Sequence, residues 1–197
     1  MMDEKITPEQ SLQLISNMIN KAKNRFGENG HLYLLWGWAV LICSLGQYIL
    51  INYVKYEHHY IIWFSMWLVF IYQMIYLRRQ KRKVVVKAYT DEIIGIVWLT
   101  FVILMFLFGV LFGTLIGGDY YRFINPAFLA LYGMPTVISG TILRFRPLVI
   151  GGICCWLLSI VSTFLPYDYQ FLLLPLGVIA AWIIPGYLLR NRYQKSK

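Results

Sequence analysis

Three adjacent side chains with metal-ligand chemistry stand at Glu57-His58-His59. Neighbouring residues do not share a helix face, and the run matches neither H-E-x-x-H nor a zinc-binding spacing. It reads as a solvated turn. The cysteines are Cys43, Cys154 and Cys155. The adjacent pair is poorly placed to form a disulfide with itself, so all three are expected to serve as small polarizable packing residues. Ser139, in Ile138-Ser-Gly140, lacks both the G-x-S-G context and the late-helix histidine of an intramembrane serine protease. His31, beside Gly30, reads as an interface residue. No phosphate-cradling G-x-x-x-x-G-K-[ST] occurs. The sequence therefore assigns no catalytic residue, no cofactor and no metal ligand, and a non-enzymatic protein is expected.

The elements that hold these residues are six long apolar stretches, at 32–54, 60–77, 93–116, 123–143, 147–165 and 170–189. A hydrocarbon core about 30 Å thick needs about 20 apolar residues per helix, and the stretches meet or approach that length. Hydrophobic residues make up 59% of the chain and charged residues 14%, against about 45–50% and about 25% in soluble domains. The fold class expected is all-α: a polytopic membrane protein with six transmembrane helices arranged as three hairpins, preceded by a cytoplasmic amphipathic helix. Its parts are residues 1–30 (the amphipathic segment), 31–190 (the six-helix domain) and 191–197 (a basic tail). The opening MMDEKITPEQ has no apolar core of a secretory signal, so the first span is expected to stay as an anchor.

Charge sets the orientation. Of the 18 lysines and arginines, only Lys55 and Arg122 fall in the first, third or fifth connection. Short cytoplasmic loops carry the excess of basic residues, so both termini and the even connections are expected in the cytoplasm of a bacterial cell, with the chain in its inner membrane. The net charge of +9 is accordingly read as topology, and no nucleic-acid partner is expected. The opposite connections, KYEHH, GGDYYR and PYDY, are tiny. Each is bordered by tyrosines: Tyr53, Tyr56 and Tyr60, then Tyr120 and Tyr121, then Tyr167 and Tyr169. Tyrosine favours the membrane interface because one end of it is apolar and the other wants water.

Outside the spans, residues 7–26 carry a helix signature. Thr7, Pro8 and Gln10 fit a capped start, and Leu12, Ile15, Met18, Ile19, Ala22 and Phe26 form one apolar stripe. Such a helix lies on the bilayer or packs on protein. Inside the spans there is no carboxylate, so a proton pump of the usual acidic type is not expected.

Small residues recur every fourth position at Gly109, Gly113 and Gly117, and again at Gly151, Cys155 and Ser159. Each row makes a shallow groove of the kind that lets membrane helices approach, and both are expected to be helix–helix seams. Prolines 126, 135, 175 and 185 interrupt the fourth and sixth spans. The irregular stretches around Met134, Pro135, Leu176 and Gly177 are where a midplane cavity would sit if the protein were a transporter for a neutral or lipid-like substrate. The run Arg78, Arg79, Lys81, Arg82 and Lys83 is the densest positive block and a candidate contact for anionic lipid headgroups.

The amphipathic ITPEQSLQLISNMI runs into HLYLLWGWAVLICSLGQYIL. This start resembles that of a family of small bacterial inner-membrane proteins that share a similar helix, an L-L-W-G-W entry to the first span and about six spans. The resemblance is clearest over about the first 55 residues and architectural beyond them. It implies a six-helix fold and no particular activity. A scaffold or regulatory role at the cytoplasmic face is the leading expectation. Its partners would be the lipid bilayer with anionic headgroups, and a second copy or a cytoplasmic protein.

Overall fold

Long apolar runs fold as helices because a helix satisfies its own backbone polar groups, which hydrocarbon cannot do. The computed structural model of the protein describes residues 11–13, 16, 30–81 and 89–195. The amphipathic helix expected over 7–26 lies outside the described residues except for short helical pieces at 11–13 and 16. Every element among the described residues is helical.

Helix α1 (His31–Ile49) widens at its end into a π-helical turn, Leu50–Val54, and stops at Lys55 in a left-handed conformation. A 3-10 segment, His59–Ser65, leads into α2 (Met66–Lys81). Helix α3 spans Tyr89–Leu115. Helix α4 (Tyr121–Ile142) and helix α5 (Arg146–Thr163) are joined by a three-residue turn, and Pro147 sits in the first turn of α5, where its missing N–H costs nothing. Helix α6 (Tyr167–Val178) passes through a second π turn, Ile179–Ile183, into α7 (Ile184–Lys195). Six continuous helical stretches are long and apolar enough to cross a membrane: His31–Val54, His59–Arg79, Glu92–Leu115, Tyr121–Ile142, Arg146–Thr163 and Tyr167–Arg192.

Four of the six make the core. Its centre is built by Val40 of α1, Leu129 and Tyr132 of α4, Leu148 and Cys155 of α5, and Phe171, Leu174 and Val178 of α6. Ala181 and Trp182 of the π turn complete it. The most extensive packing is α4 on α5, followed by α1 on the whole sixth span, that is α6 with its π turn and α7. Helices α2 and α3 are fastened to the outside. No described side chain of α2 is buried, and α3 buries only Ile94 and Phe101. Helix α2 leans on α1, and α3 on α4. In water such surfaces would be a liability. Hydrocarbon is as apolar as leucine, so in a bilayer they cost little.

Apart from Arg122, the exposed arginines among the described residues gather at one end, from Arg78 and Arg79 of α2, Arg144 and Arg146 around the α4–α5 turn, and Arg190 and Arg192 of α7. The tyrosine-rimmed connections lie at the other. There Tyr121 meets Tyr167 with ring centroids 4.8 Å apart.

Candidate functional site

The positions that need an account are those where the backbone is irregular inside the apolar layer. Pro175 lacks the N–H that would bond the Phe171 carbonyl one turn earlier. That carbonyl accepts a hydrogen bond of 2.6 Å from Ser44 Oγ of α1, and Ser44 is wholly buried. In α4 the carbonyls that Pro126 and Pro135 leave without an N–H are those of Arg122 and Leu131, and the donors from α5 reach two other carbonyls of that helix. Ser159 Oγ donates to the Pro126 carbonyl at 2.7 Å, and Trp156 Nε1 to the Ala130 carbonyl at 3.0 Å. The Cys155 thiol points at the Gly177 carbonyl, 3.5 Å away, just before α6 opens into its π turn. Pro185 is the second residue after that turn. A π turn re-routes the backbone bonds that a proline would otherwise break.

The π turn also aims Trp182 inward. Its indole N–H donates to Thr136 Oγ1 at 3.0 Å, and Thr136 donates to the Tyr132 carbonyl at 2.7 Å. Tyr132 packs on Trp182 with centroids 4.8 Å apart, Trp98 of α3 lies 5.8 Å from Trp182, and Tyr33 of α1 lies 5.9 Å from Trp98. These rings tie four helices together. Two hydroxyls here, Tyr33 OH and Ser139 Oγ, are buried without a hydrogen-bond partner. Nearer the tyrosine end, Asn125 Nδ2, Ser162 Oγ and Gln170 Oε1 are likewise unpaired. All five groups are uncharged at neutral pH. The buried polar chemistry is therefore that of neutral donors and acceptors, used chiefly to join helices.

Of the glycine and small-residue rows, the second is a seam. A Cβ on Gly151 would stand 2.6 Å from Ala181 Cα and closer still to the Ala180 carbonyl, so α5 and the π turn touch backbone to backbone. Cys155 and Ser159 continue this row as described above. The first row makes no seam among the described residues: a Cβ on Gly109, Gly113 or Gly117 would meet nothing there. Helix α3 rests on α4 along a different face. Ile94 and Phe101 are buried there, and Trp98 and Met105 pack against the core. Residue spacing locates a groove on a helix but not the direction in which it points.

The closest α4–α5 approach was missed by that reading. It is made by Gly133 and Gly152, each of which would set a new Cβ within 3 Å of the other's carbonyl oxygen, at 2.8 and 2.9 Å. The short turn between the two helices was the available signal, because folding back about it brings these glycines to similar heights.

The residues of the expected midplane cavity do not converge. Pro135 and Gly177 are buried, whereas Met134 is 39% exposed and Leu176 53% exposed, each on the outer side of its helix. A Cβ on Gly177 would already meet Leu129 Cδ2 at 2.7 Å.

In the basic run, Arg78 and Arg79 are exposed at the end of α2, and Lys81 is the last residue of that helix. Arg82 and Lys83 lie outside the described residues. The three cysteines are free thiols, and Cys43 Sγ lies 3.2 Å from Ser65 Oγ. His58 and His59 use their Nδ1 atoms separately, one on Tyr60 and the other on Gln47. Among the described residues no three metal-binding side chains converge.

These features define a class: an all-helical bundle whose six long apolar helices are compatible with a multi-pass membrane protein. No family model matches the chain, and no curated protein or solved structure does either.

Proposed function

We propose that the protein is a non-enzymatic membrane scaffold or regulatory partner of the bacterial inner membrane, with both termini and its basic end in the cytoplasm. The observation that carries this reading is how the buried polar groups are used. Ser44, Thr136, Cys155, Ser159 and Trp182 each bond a neighbouring helix. They brace a four-helix core. What such a bundle offers to others is surface. Its tyrosine end has almost none, so a protein partner or a second copy would meet the basic end.

The test is site-specific photo-crosslinking in native membranes, with the probe at Arg192 and, as control, at Tyr53. A discrete adduct, either a second copy or a cytoplasmic protein of fixed mass, is expected from position 192 and not from position 53. An uncrosslinked monomer from both positions would sink the reading.

The same reading assigns anionic headgroups to the basic end, at about 1 kcal/mol per basic residue near such a surface. Replacing Arg78, Arg79, Lys81 and Arg82 with glutamine is expected to cut the acidic phospholipid that copurifies with the protein at least several-fold. An unchanged lipid content would leave these residues with a topological role only.

A further inference from the structure

At the tyrosine end, a hydrogen-bond chain joins α1 to the 3-10 segment His59–Ser65. The Trp63 indole N–H donates to Gln47 Oε1, and Gln47 Nε2 lies 2.9 Å from His59 Nδ1. An indole nitrogen can only donate. It therefore dictates which way the Gln47 amide faces, a choice that heavy-atom positions alone do not make. With Oε1 held by Trp63, the NH2 group faces His59, and it too can only donate. Nδ1 of His59 must then present a lone pair. The arrangement requires a neutral imidazole with its proton on Nε2. A second proton, on Nδ1, would set N–H against N–H.

We propose that Gln47, Trp63 and His59 form a proton-operated latch, which is closed on a neutral His59 and released when the imidazole is protonated, freeing the start of the second span from α1.

The surroundings suit such a device. Gln47 is only 4% exposed, so a lost partner is not simply replaced by bulk water. The segment it holds is 3-10 helix, with poorer internal hydrogen bonds than α-helix, and none of its residues is buried. Its other polar ties to α1 are the Cys43 thiol, 3.7 Å from the Ile62 carbonyl and 3.2 Å from Ser65 Oγ. Further along, α2 is held independently by Trp36 Nε1 on Gln73 Oε1 at 2.6 Å and by His31 on Tyr72 at 3.2 Å. Release at His59 therefore need not detach the whole helix.

The protonated state also has somewhere to go. The charged group that bears on His59 from another element is Asp168, at the start of α6. Its own connection carries further titratable or charged groups. They are Lys55, Tyr56, Glu57, His58 and Tyr60, all exposed, with the Tyr60 ring 6.1 Å from His59. Helix α1 contributes the neutral Gln47 amide. Because the closed latch needs the neutral form, it is present at neutral pH and is lost as the pH falls through the range in which the imidazole takes up its second proton. In the proposed orientation this end faces outside the cell.

Hydrogen–deuterium exchange on the full chain in lipid nanodiscs reads the latch directly, once rates are corrected for the intrinsic effect of pH. Between about pH 7.5 and about pH 5, amides of His59–Ser65 are expected to exchange about tenfold faster, while α4 and α5 stay unchanged. In His59→Gln the acid response disappears. In Trp63→Phe it also disappears, although His59 still titrates, because the freed amide can turn its oxygen toward the imidazolium. In Gln47→Glu it reverses, since a carboxylate accepts from the indole and the imidazolium together. No acid loosening in the parent protein, or loosening of equal size in His59→Gln or Trp63→Phe, would overturn the proposal. If Trp63→Phe does not fold, the sign of the Gln47→Glu response decides alone.

Discussion

Leucine in place of Gly151 is expected to cost about 3 kcal/mol or more, lowering the melting temperature in detergent by roughly 6–12 °C for a chain of this size. The same change at Gly113 should move it by no more than about 2 °C. The two glycines belong to rows that look alike in the sequence. A Cβ at Gly151 would stand 2.6 Å from Ala181 Cα, so the obstacle is backbone and cannot rotate away. To admit a leucine, α5 and the π turn must part, and Cys155 and Gly177 would part with them. At Gly113 a side chain would enter open space. Thermal melts of the two variants side by side check this. Equal loss at both positions would mean that the third helix has a partner in the folded particle.

The second large effect lies at Ser44. Alanine there leaves the Phe171 carbonyl without its donor in a wholly buried position, at a cost of about 1–3 kcal/mol. The loss exists because Pro175 supplies no N–H. In a Pro175→Ala background the backbone can bond that carbonyl itself, and Ser44→Ala should then cost at least about 1 kcal/mol less. A double-mutant cycle followed by unfolding in detergent measures the difference. Strict additivity would show that serine and proline do not share the carbonyl.

The contrast between Gly113 and Gly151 marks what could be read from residues alone. Apolar runs and the positions of arginine and tyrosine report length and depth, since both respond to water at the ends of a helix. The predicted spans accordingly fall within a few residues of those observed at most ends, as with 60–77 against His59–Arg79. Azimuth is another matter. In a water-soluble helix the buried stripe is apolar and the rest polar. In α3 every face is apolar, because lipid and protein neighbours are chemically alike, so nothing distinguished the side bearing Ile94 and Phe101 from the side bearing Gly109 and Gly113. For the same reason the peripheral place of α2 was hidden.

Polar residues broke that degeneracy where they occurred, but only in part. The prolines flagged α4 and α6 as irregular, and in α6 the carbonyl freed by Pro175 does take an outside donor. Which donor was not legible, because the partner of Phe171 lies 127 residues away on α1. The cavity expected around Met134 and Leu176 failed on similar grounds. Pro135 and Gly177 are packed inward with Thr136 and Val178, whereas Met134 and Leu176 turn outward.

That span of 127 residues between Ser44 and the carbonyl it serves also sets the order of assembly. A ribosome adds about 5–20 residues each second, so roughly 6–25 s separate the synthesis of the first helix from that of its main partner. During that interval α1 has entered the bilayer with Ser44 still waiting for its acceptor, and α2 is the neighbour at hand. The Trp36–Gln73 and Gln47–Trp63 contacts can form at once. On this timetable the helix that contributes least to the finished core is the first companion of α1, shielding its polar side chains until the last helix arrives to close the bundle.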